Sequence, residues 1–456
     1  MRDHNYKKYL LVVLMVVLAF NYQDRMALGL VLQDIKLDLS LSDTQLGLLT
    51  GIAFALLYAI MGIPLARWAD RGNRVTLIAL TVALWSLMVS LCGMAMSFVQ
   101  LLLIRVGVAV GEAGCMPAAH SLIPDYFTRA ERPRAVAIVL LGGPLSFVTG
   151  SLLAGWLNQL YGWRVMFVLL GLPGLGLALL VRLTLREPRY DEVARDSIDR
   201  FGSTLHSQGQ QTDRASTTPT LHEVAVTLWA NKTYRQLLVY FAVVSFFNYG
   251  ILQWQPTFFI RSYQLHTGEL GSWLSLIYGF GGLVGTYLGG YLAYRYAAHN
   301  ERLQLKAMAV VAFATAVLFS SVYLSHSPYT AFAFLGLMCT VGSASNAPLF
   351  AVIQSLVPER MRAMSIALIY LSGNLIGLGL GPLMVGVASD AFRSWAGEES
   401  LRYALLLFCP GFCWAGWHLW RGSKSVMDDL AAVRVDRQVV TLEPLAGVEP
   451  CVTRSL

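Results

Sequence analysis

The apolar residues of this chain come in runs near twenty long, and such runs decide the solvent before the fold. At 1.5 Å of rise per residue, about twenty apolar residues carry a helix across the ~30 Å hydrocarbon core of a bilayer. Of the 456 residues, 56% are hydrophobic and only 13% charged, with a mean hydropathy of +0.55. That is too apolar for a soluble protein of two or three domains. The expected fold is therefore an all-α polytopic membrane protein. Twelve transmembrane helices are expected, near 8–31, 44–66, 75–96, 99–122, 134–158, 163–183, 235–261, 271–296, 304–325, 329–353, 362–390 and 400–421.

Loops are short except for one stretch. Residues 185–234 carry Ser207-Gln208-Gly209-Gln210-Gln211-Thr212 and many charges, reading as a linker with a short surface helix near Leu221–Trp229. The expected division is an N-terminal six-helix bundle (1–184), a cytoplasmic linker (185–234), a C-terminal six-helix bundle (235–421) and a polar, disordered cytoplasmic tail (422–456). The first apolar run is too long for a cleavable signal peptide and no small-residue cleavage site follows it.

The net charge of +7 raises the question of nucleic acid, and its placement answers it. With the N-terminus inside, 27 of the 34 lysines and arginines fall on cytoplasmic segments, the positive-inside pattern. The other seven are Arg25, Lys36, Arg105, Arg164, Arg261, Arg393 and Arg402. Topology accounts for the charge, so no nucleic-acid partner is expected. Six cysteines show neither metal-ligand spacing nor a disulfide framework. No metal and no cofactor is expected.

The halves repeat. Phe20-Asn21-Tyr22 returns as Phe247-Asn248-Tyr249, Ala69-Asp70-Arg71 as Ala293-Tyr294-Arg295, and Glu131-Arg132-Pro133-Arg134-Ala135 as Glu359-Arg360-Met361-Arg362-Ala363. The order is kept and the offsets nearly coincide, so two parallel halves are expected with the substrate between them near the midplane. Asp24 and Arg25 correspond to Ile251 and Leu252. The charge belongs to one half only.

Charge inside a span costs a few kcal/mol at least, and its default reading is a transport or proton site. Asp24 lies roughly 10 Å below the outer end of span one, and Arg105 roughly 9 Å below the same surface in span four, which runs the other way. An Asp24–Arg105 ion pair is therefore allowed. Glu112 lies two turns beyond Arg105 on the same helix face, near the midplane. The functional reading gives Asp24 and Glu112 to protons, and Arg25 and Arg105 to an anionic group of the substrate. The alternative is a static ion-pair network that fixes helix packing. In the second half, Asn248, Gln253, Gln255, Asn346 and Asn374 are polar candidates for the cavity, and Trp254, Tyr249, Phe246 and Phe247 for an apolar wall. An anionic-headgroup half facing a neutral aromatic half suits an amphiphile better than a sugar. Gly279-Phe280-Gly281-Gly282 lies within a span, with no preceding strand and no Gly-Lys-Ser/Thr, so it is no nucleotide loop.

The two-by-six plan with Ala66-x3-Asp70-Arg71-Gly72-Asn73-Arg74 resembles the major facilitator superfamily, with Ala and Asn where its signature has Gly. Asn21-Tyr22-x-Asp24-Arg25, Leu46-Gly47-Leu48, Asp70-Arg71-x-Asn73-Arg74, Arg105-x-Gly107-x3-Gly111-Glu112-Ala113, Pro124-Asp125-Tyr126-Phe127, Gly162-Trp163-Arg164 and Gly381-Pro382 are similar to the Spinster family within it. Anion–cation symporters of the superfamily share Asn-Tyr-x-Asp-Arg and a Glu in span four. The resemblance implies a proton-coupled secondary active transporter working by alternating access, not an enzyme. It implies proton coupling at Asp24 and Glu112, an anion held by Arg25 and Arg105, and a cytoplasmic gate at Asp70, Arg71 and Arg74. Tyr22, Asn248, Trp254 and Asn374 are the further substrate contacts expected from their places in the spans. The implied substrate is a lysophospholipid or sphingosine-phosphate-like anionic amphiphile, with protons and membrane lipids as the other partners. The implied setting is a monomer in the bacterial inner membrane, both termini cytoplasmic. A symporter of a small organic anion such as a sugar acid, and a non-transporting membrane receptor, are the alternatives.

Overall fold

The structure is a computed structural model that describes residues 2–442 except 129, 190–220, 299 and 359–360. Every regular element among these residues is a helix. α1 (Arg2–Leu39) is followed by α2 (Asp43–Thr50) and α3 (Ile52–Arg71), one span interrupted at Gly51. α4 (Arg74–Cys92) precedes a second interrupted pair, α5 (Phe98–Ala113) and α6 (Cys115–Tyr126), and then α7 (Arg132–Leu140) and α8 (Gly142–Thr184). Beyond residue 220 come α9 (Leu221–Ala230), α10 (Lys232–Tyr263), α11 (Thr267–Ala297), α12 (Glu301–Leu324), α13 (Pro328–Ser343) and α14 (Asn346–Ser355). α15 (Arg362–Ser372) passes through a π-helical turn, Gly373–Leu378, into α16 (Gly379–Ala396). α17 (Ser400–Phe408) and α18 (Gly411–Leu442) complete the described chain.

Local chemistry sets the helix starts. Ser42 and Gln45 form a reciprocal capping box on α2, and Asn73, Ser97, Asn231 and Asn300 each accept a backbone N–H three residues on, satisfying donors that a helix start leaves unpaired. Among the described residues, nine stretches are long and apolar enough to cross a membrane. Nine is fewer than the expected twelve for physical reasons. Arg134–Thr184 and Met364–Ala432 each run through a break, at Gly162 (φ 78°) and Gly397 (φ 57°). α11 has the length, with 31 residues, but its glycines and tyrosines hold its hydropathy down.

Two ends of the bundle can be told apart by their contacts. At the basic end, the Tyr6 hydroxyl accepts from the backbone N–H of Arg186, Lys7 pairs with Glu131, and Arg74 reaches Asp125 and Glu187. At the distal end, Asp38 pairs with Arg164, Arg261 with Asp43, and Tyr263 donates to the carbonyl of Ser325.

The halves meet at the distal end. One hydrophobic core fills the first half and continues into Trp254, Phe258, Phe259, Leu274, Phe319 and Val385 of the second. A separate core around Tyr234, Leu237, Leu305, Met308, Val352 and Leu419 fills the basic end of the second half alone. Glycine makes the distal approach possible. A Cβ on Gly47 would lie 2.6 Å from the Pro382 carbonyl oxygen, and one on Gly155 2.4 Å from that of Thr267. Real side chains do not fit at such distances, so backbone packs on backbone across the interface.

Two expectations meet the structure at the chain's charged segments. α9 forms where a short helix was expected, while most of the linker lies outside the described residues. The segment after Arg421 was expected to be disordered, yet α18 runs to Leu442. Val426 and Leu430 pack into the second core, and Asp429 accepts the Thr233 N–H at 2.7 Å, capping α10. Apolar residues four apart give this polar stretch one buried face.

Candidate functional site

α1 delivers Asp24 and Arg25 into the first half, where they separate into two ion pairs. Arg105 Nη1 of α5 donates to Asp24 Oδ2 at 2.5 Å, with side chains only 2% and 4% exposed. This is the pair that helix depth predicts. Arg25 Nε donates to Glu112 Oε2 at 3.1 Å, and Nη2 makes a second, shorter contact with the same oxygen. Adjacent residues on a helix point about 100° apart, so Asp24 and Arg25 meet different turns of α5.

An aromatic box surrounds the cations. The Arg25 guanidinium lies 5.1 Å from the Tyr22 ring, 4.6 Å from Phe54 and 5.3 Å from Tyr58. Arg105 lies 5.2 Å from the same Phe54 ring. Both arginines thus share one α3 side chain, at distances where a desolvated cation gains up to about 2 kcal/mol from a ring. Phe54 and Tyr58 were not expected at the site. The only sequence signal for them is their spacing of four, which puts both on one face of α3.

Each carboxylate keeps one oxygen free. Asp24 Oδ1 and Glu112 Oε1 are buried without a hydrogen-bond partner, as are Arg105 Nε and both amide atoms of Asn21. A carboxylate bound through one oxygen can take a proton on the other. Beside Asp24, a small cavity lined by Phe20, Gln23, Trp85 and Ser86 offers such a proton a polar neighbour. Removing a partner from a buried pair leaves an uncompensated charge and costs about 3–5 kcal/mol. Arg105→Ala should therefore lower the melting temperature sharply. The double variant Arg105→Ala/Asp24→Asn should recover much of the loss, because neighbours in contact are not additive.

The other expected residues divide. Tyr22 is half-buried in the box, with Tyr249 and Tyr370 of the second half within electrostatic range. Asn248 is exposed, and Asn374 is half-buried in the π-helical turn. Trp254 departs from its expected place on the cavity wall. It is fully buried, and its Nε1 donates to the Pro382 carbonyl at 2.8 Å, so it packs α10 against α16. With polar Gln253 and Gln255 on either side of it, the facing of this one aromatic leaves no trace in sequence. Asp70 and Arg71 are exposed at the basic end. Arg74, expected with them at a gate between halves, is instead buried inside the first half. It bonds Glu187 and the Ser121 carbonyl and pairs with Asp125. Burial pushes the Glu187 carboxyl up, but the Arg74 guanidinium and backbone N–H outweigh it and hold that carboxyl below its ordinary value.

The distal end carries a second charged cluster that was not expected. Asp43, at the start of α2, accepts from Lys36 at 2.6 Å, from Arg261 Nη1 and Nη2 at 2.8 and 2.7 Å, and from Ser389 at 2.7 Å. Arg261 also donates to Gln33 at 2.6 Å. Asp390 answers from the other half, accepting the Asp43 and Thr44 N–H groups at 3.1 and 2.7 Å, an N-cap supplied in trans. Lys36, Asp43 and Thr44 belong to the first half and Arg261, Ser389 and Asp390 to the second, so the cluster bolts the halves together at this end.

The comparisons agree with this architecture. The profile of the Major Facilitator Superfamily matches residues 14–382. An MFS-type efflux pump of Mycolicibacterium smegmatis is 32% identical over 397 residues, 87% of each chain. A hexuronate transporter of Bacillus subtilis is 26% identical over 410 residues, 87% of this chain and 92% of its own. The crystal structure of a bacterial homolog to the human lysosomal transporter Spinster, inward-facing and unoccupied, superposes with a TM-score of 0.80. It is 29% identical, covering 93% of this chain and 98% of that one. A profile match over most of the length, a relative above 30% identity and a shared helical architecture have one reading: this chain is a multi-pass membrane protein of the major facilitator superfamily.

Proposed function

We propose that this chain is a proton-coupled secondary transporter that works by alternating access and carries an anionic amphiphile, a lysophospholipid or sphingosine-phosphate-like lipid. The observation that carries the coupling is the pair of buried Arg–carboxylate contacts in which each carboxylate keeps one free oxygen. A substrate anion that draws Arg25 toward itself weakens the hold on Glu112. A carboxylate in an apolar site that loses its cation favours the protonated form. Anion binding and proton binding thereby become one event. Arg105 holds Asp24 as the second proton group. The bundles at 1–184 and 235–421 are the two rocking bodies. The basic end is the cytoplasmic one by the positive-inside pattern, with Asp70 and Arg71 exposed there to close it. The setting is the bacterial inner membrane, the chain acting as a monomer.

The amphiphile reading rests on α11. From Leu283 to Ala298, Gly285, Gly289 and Ala297 are the buried positions, while Tyr287, Tyr291 and Tyr294 are exposed. The contacts of α11 with α8 include Gly155–Thr267 near the distal end and Phe147–Tyr278 further down. On the basic side Leu140 and Leu141 are exposed as well. An apolar, aromatic-edged flank of this kind accepts an acyl chain. The likeness to the Spinster homolog joins the motif resemblance to the Spinster family, and it is that resemblance which implies such a substrate. A sugar-acid substrate is the second reading, favoured by the likeness to the hexuronate transporter.

Uptake into proteoliposomes separates them. Labelled lysophosphatidylglycerol should accumulate several-fold more with a pH gradient than without, and labelled glucuronate should not. Glucuronate uptake without lysolipid uptake would replace the amphiphile by the sugar acid, and equal uptake with and without the gradient would remove proton coupling.

A further inference from the structure

We infer that the small cavity between α1 and the α10–α11 pair is an oxyanion subsite, in which Arg25 and the Gln253 side-chain amide grip one anionic group from the two halves. The cavity is lined by Arg25, Gly29, Ser151, Gln253, Pro256 and Tyr278, among others. Gln253 Nε2 is buried without a hydrogen-bond partner. An unpaired buried donor costs about 1–3 kcal/mol, a cost that an acceptor on a ligand removes.

Gly29 keeps the amide's place open. A Cβ there would lie 3.3 Å from Gln253 Nε2 and 3.4 Å from the Gln253 carbonyl oxygen. Glycine inside a helix costs up to about 1 kcal/mol relative to alanine, so the gap is kept at a cost in the middle of α1. The Tyr278 hydroxyl is occupied, since it donates to Gln255 Oε1. That leaves the guanidinium, the Gln253 N–H groups and the Ser151 hydroxyl as the donors on the cavity. A cation and an amide N–H lining one small cavity suit the charged oxygens of a carboxylate or a phosphate head, not a whole lipid or sugar. The rest of the substrate then extends away from the distal end, where the halves are packed together.

The inference rests on Arg25 as the anion-holding residue of the proposed transporter and adds a specificity-determining contact from the second half. A ligand held by both halves also ties binding to their relative position, which a ligand held by one half cannot do.

The test uses the purified full chain as wild type, Gly29→Ala, Gln253→Leu and Gln253→Glu. Affinities are measured for lysophosphatidylglycerol, glucuronate and uncharged monoacylglycerol, and melting temperatures are recorded for each variant. Whichever anion the wild type binds, Gly29→Ala and Gln253→Leu should bind it at least tenfold more weakly and bind monoacylglycerol as the wild type does. Gln253→Glu sets a resident carboxylate facing Arg25, so it should lose anion binding and melt at a higher temperature. Gln253→Leu fills the same volume without a donor and carries the test by itself if Gly29→Ala does not fold. Wild-type affinity for the anion in the Gln253 variants would overturn the subsite while leaving the proposed transporter intact. A wild type that binds neither anion would contradict both readings.

Discussion

Glu112→Gln should reduce substrate accumulation driven by a pH gradient to the level of protein-free vesicles, while gradient-free counterflow persists. Glutamine keeps the size of glutamate and an oxygen that accepts from Arg25, but it neither carries a charge nor binds a proton. Arg25 then sits among Tyr22, Phe54 and Tyr58 with a neutral partner. Cation–π attraction of about 0.5–2 kcal/mol per contact offsets part of the lost pairing, and Asp24 remains within electrostatic reach of Arg25. The protein should therefore fold and bind its anion. Expression, melting temperature and counterflow check the fold, and gradient-driven uptake checks the role. A variant that loses counterflow and stability together would place Glu112 among the packing residues instead.

Asp43→Asn should open the distal end. Asp43 neutralises Lys36 and Arg261 in a buried position and bonds Ser389 across the interface. The asparagine leaves two cations facing each other, and breaking a buried pair costs about 3–5 kcal/mol. These contacts join the halves, so the cost falls on the state closed at this end. About 3 kcal/mol is on the order of a hundredfold in the equilibrium between states. Spin labels at Leu37 and Trp395, exposed positions near the distal ends of α1 and α16, report the opening in a background with the native cysteines replaced. The inter-label distance distribution should shift to longer values in Asp43→Asn. An unchanged distribution would mean that the glycine-seated contacts at Gly47 and Gly155 hold the closure without the charges.

The membrane class, the repeat and the Asp24–Arg105 pair were legible because each follows from a simple rule. Run length gives the span, offset gives the repeat, and equal depth in helices of opposite direction gives the pair. Depth does not give direction around a helix. Arg25 was therefore expected beside a substrate anion, and its bond to Glu112 emerges only once α1 and α5 reach toward each other through their long side chains in the folded half. The same blindness put Trp254 on the cavity wall, where its neighbour Gln253 lines a cavity instead. Arg261 reads as one of seven cations off the basic side, and nothing local links it to Asp43, 218 positions away. Phe54 is one more aromatic in an apolar span until two guanidinium groups are seen to share it.

The coupling of anion to proton is tested most directly without a membrane gradient. Purified protein in weakly buffered solution near pH 7 is mixed with lysophosphatidylglycerol or glucuronate while a pH indicator is followed. Substrate that takes Arg25 from Glu112 should draw about one proton per protein out of solution, and Glu112→Gln should bind the same anion with no proton change. Binding without proton uptake in the wild type, or equal uptake in Glu112→Gln, would contradict the exchange of partners at Arg25.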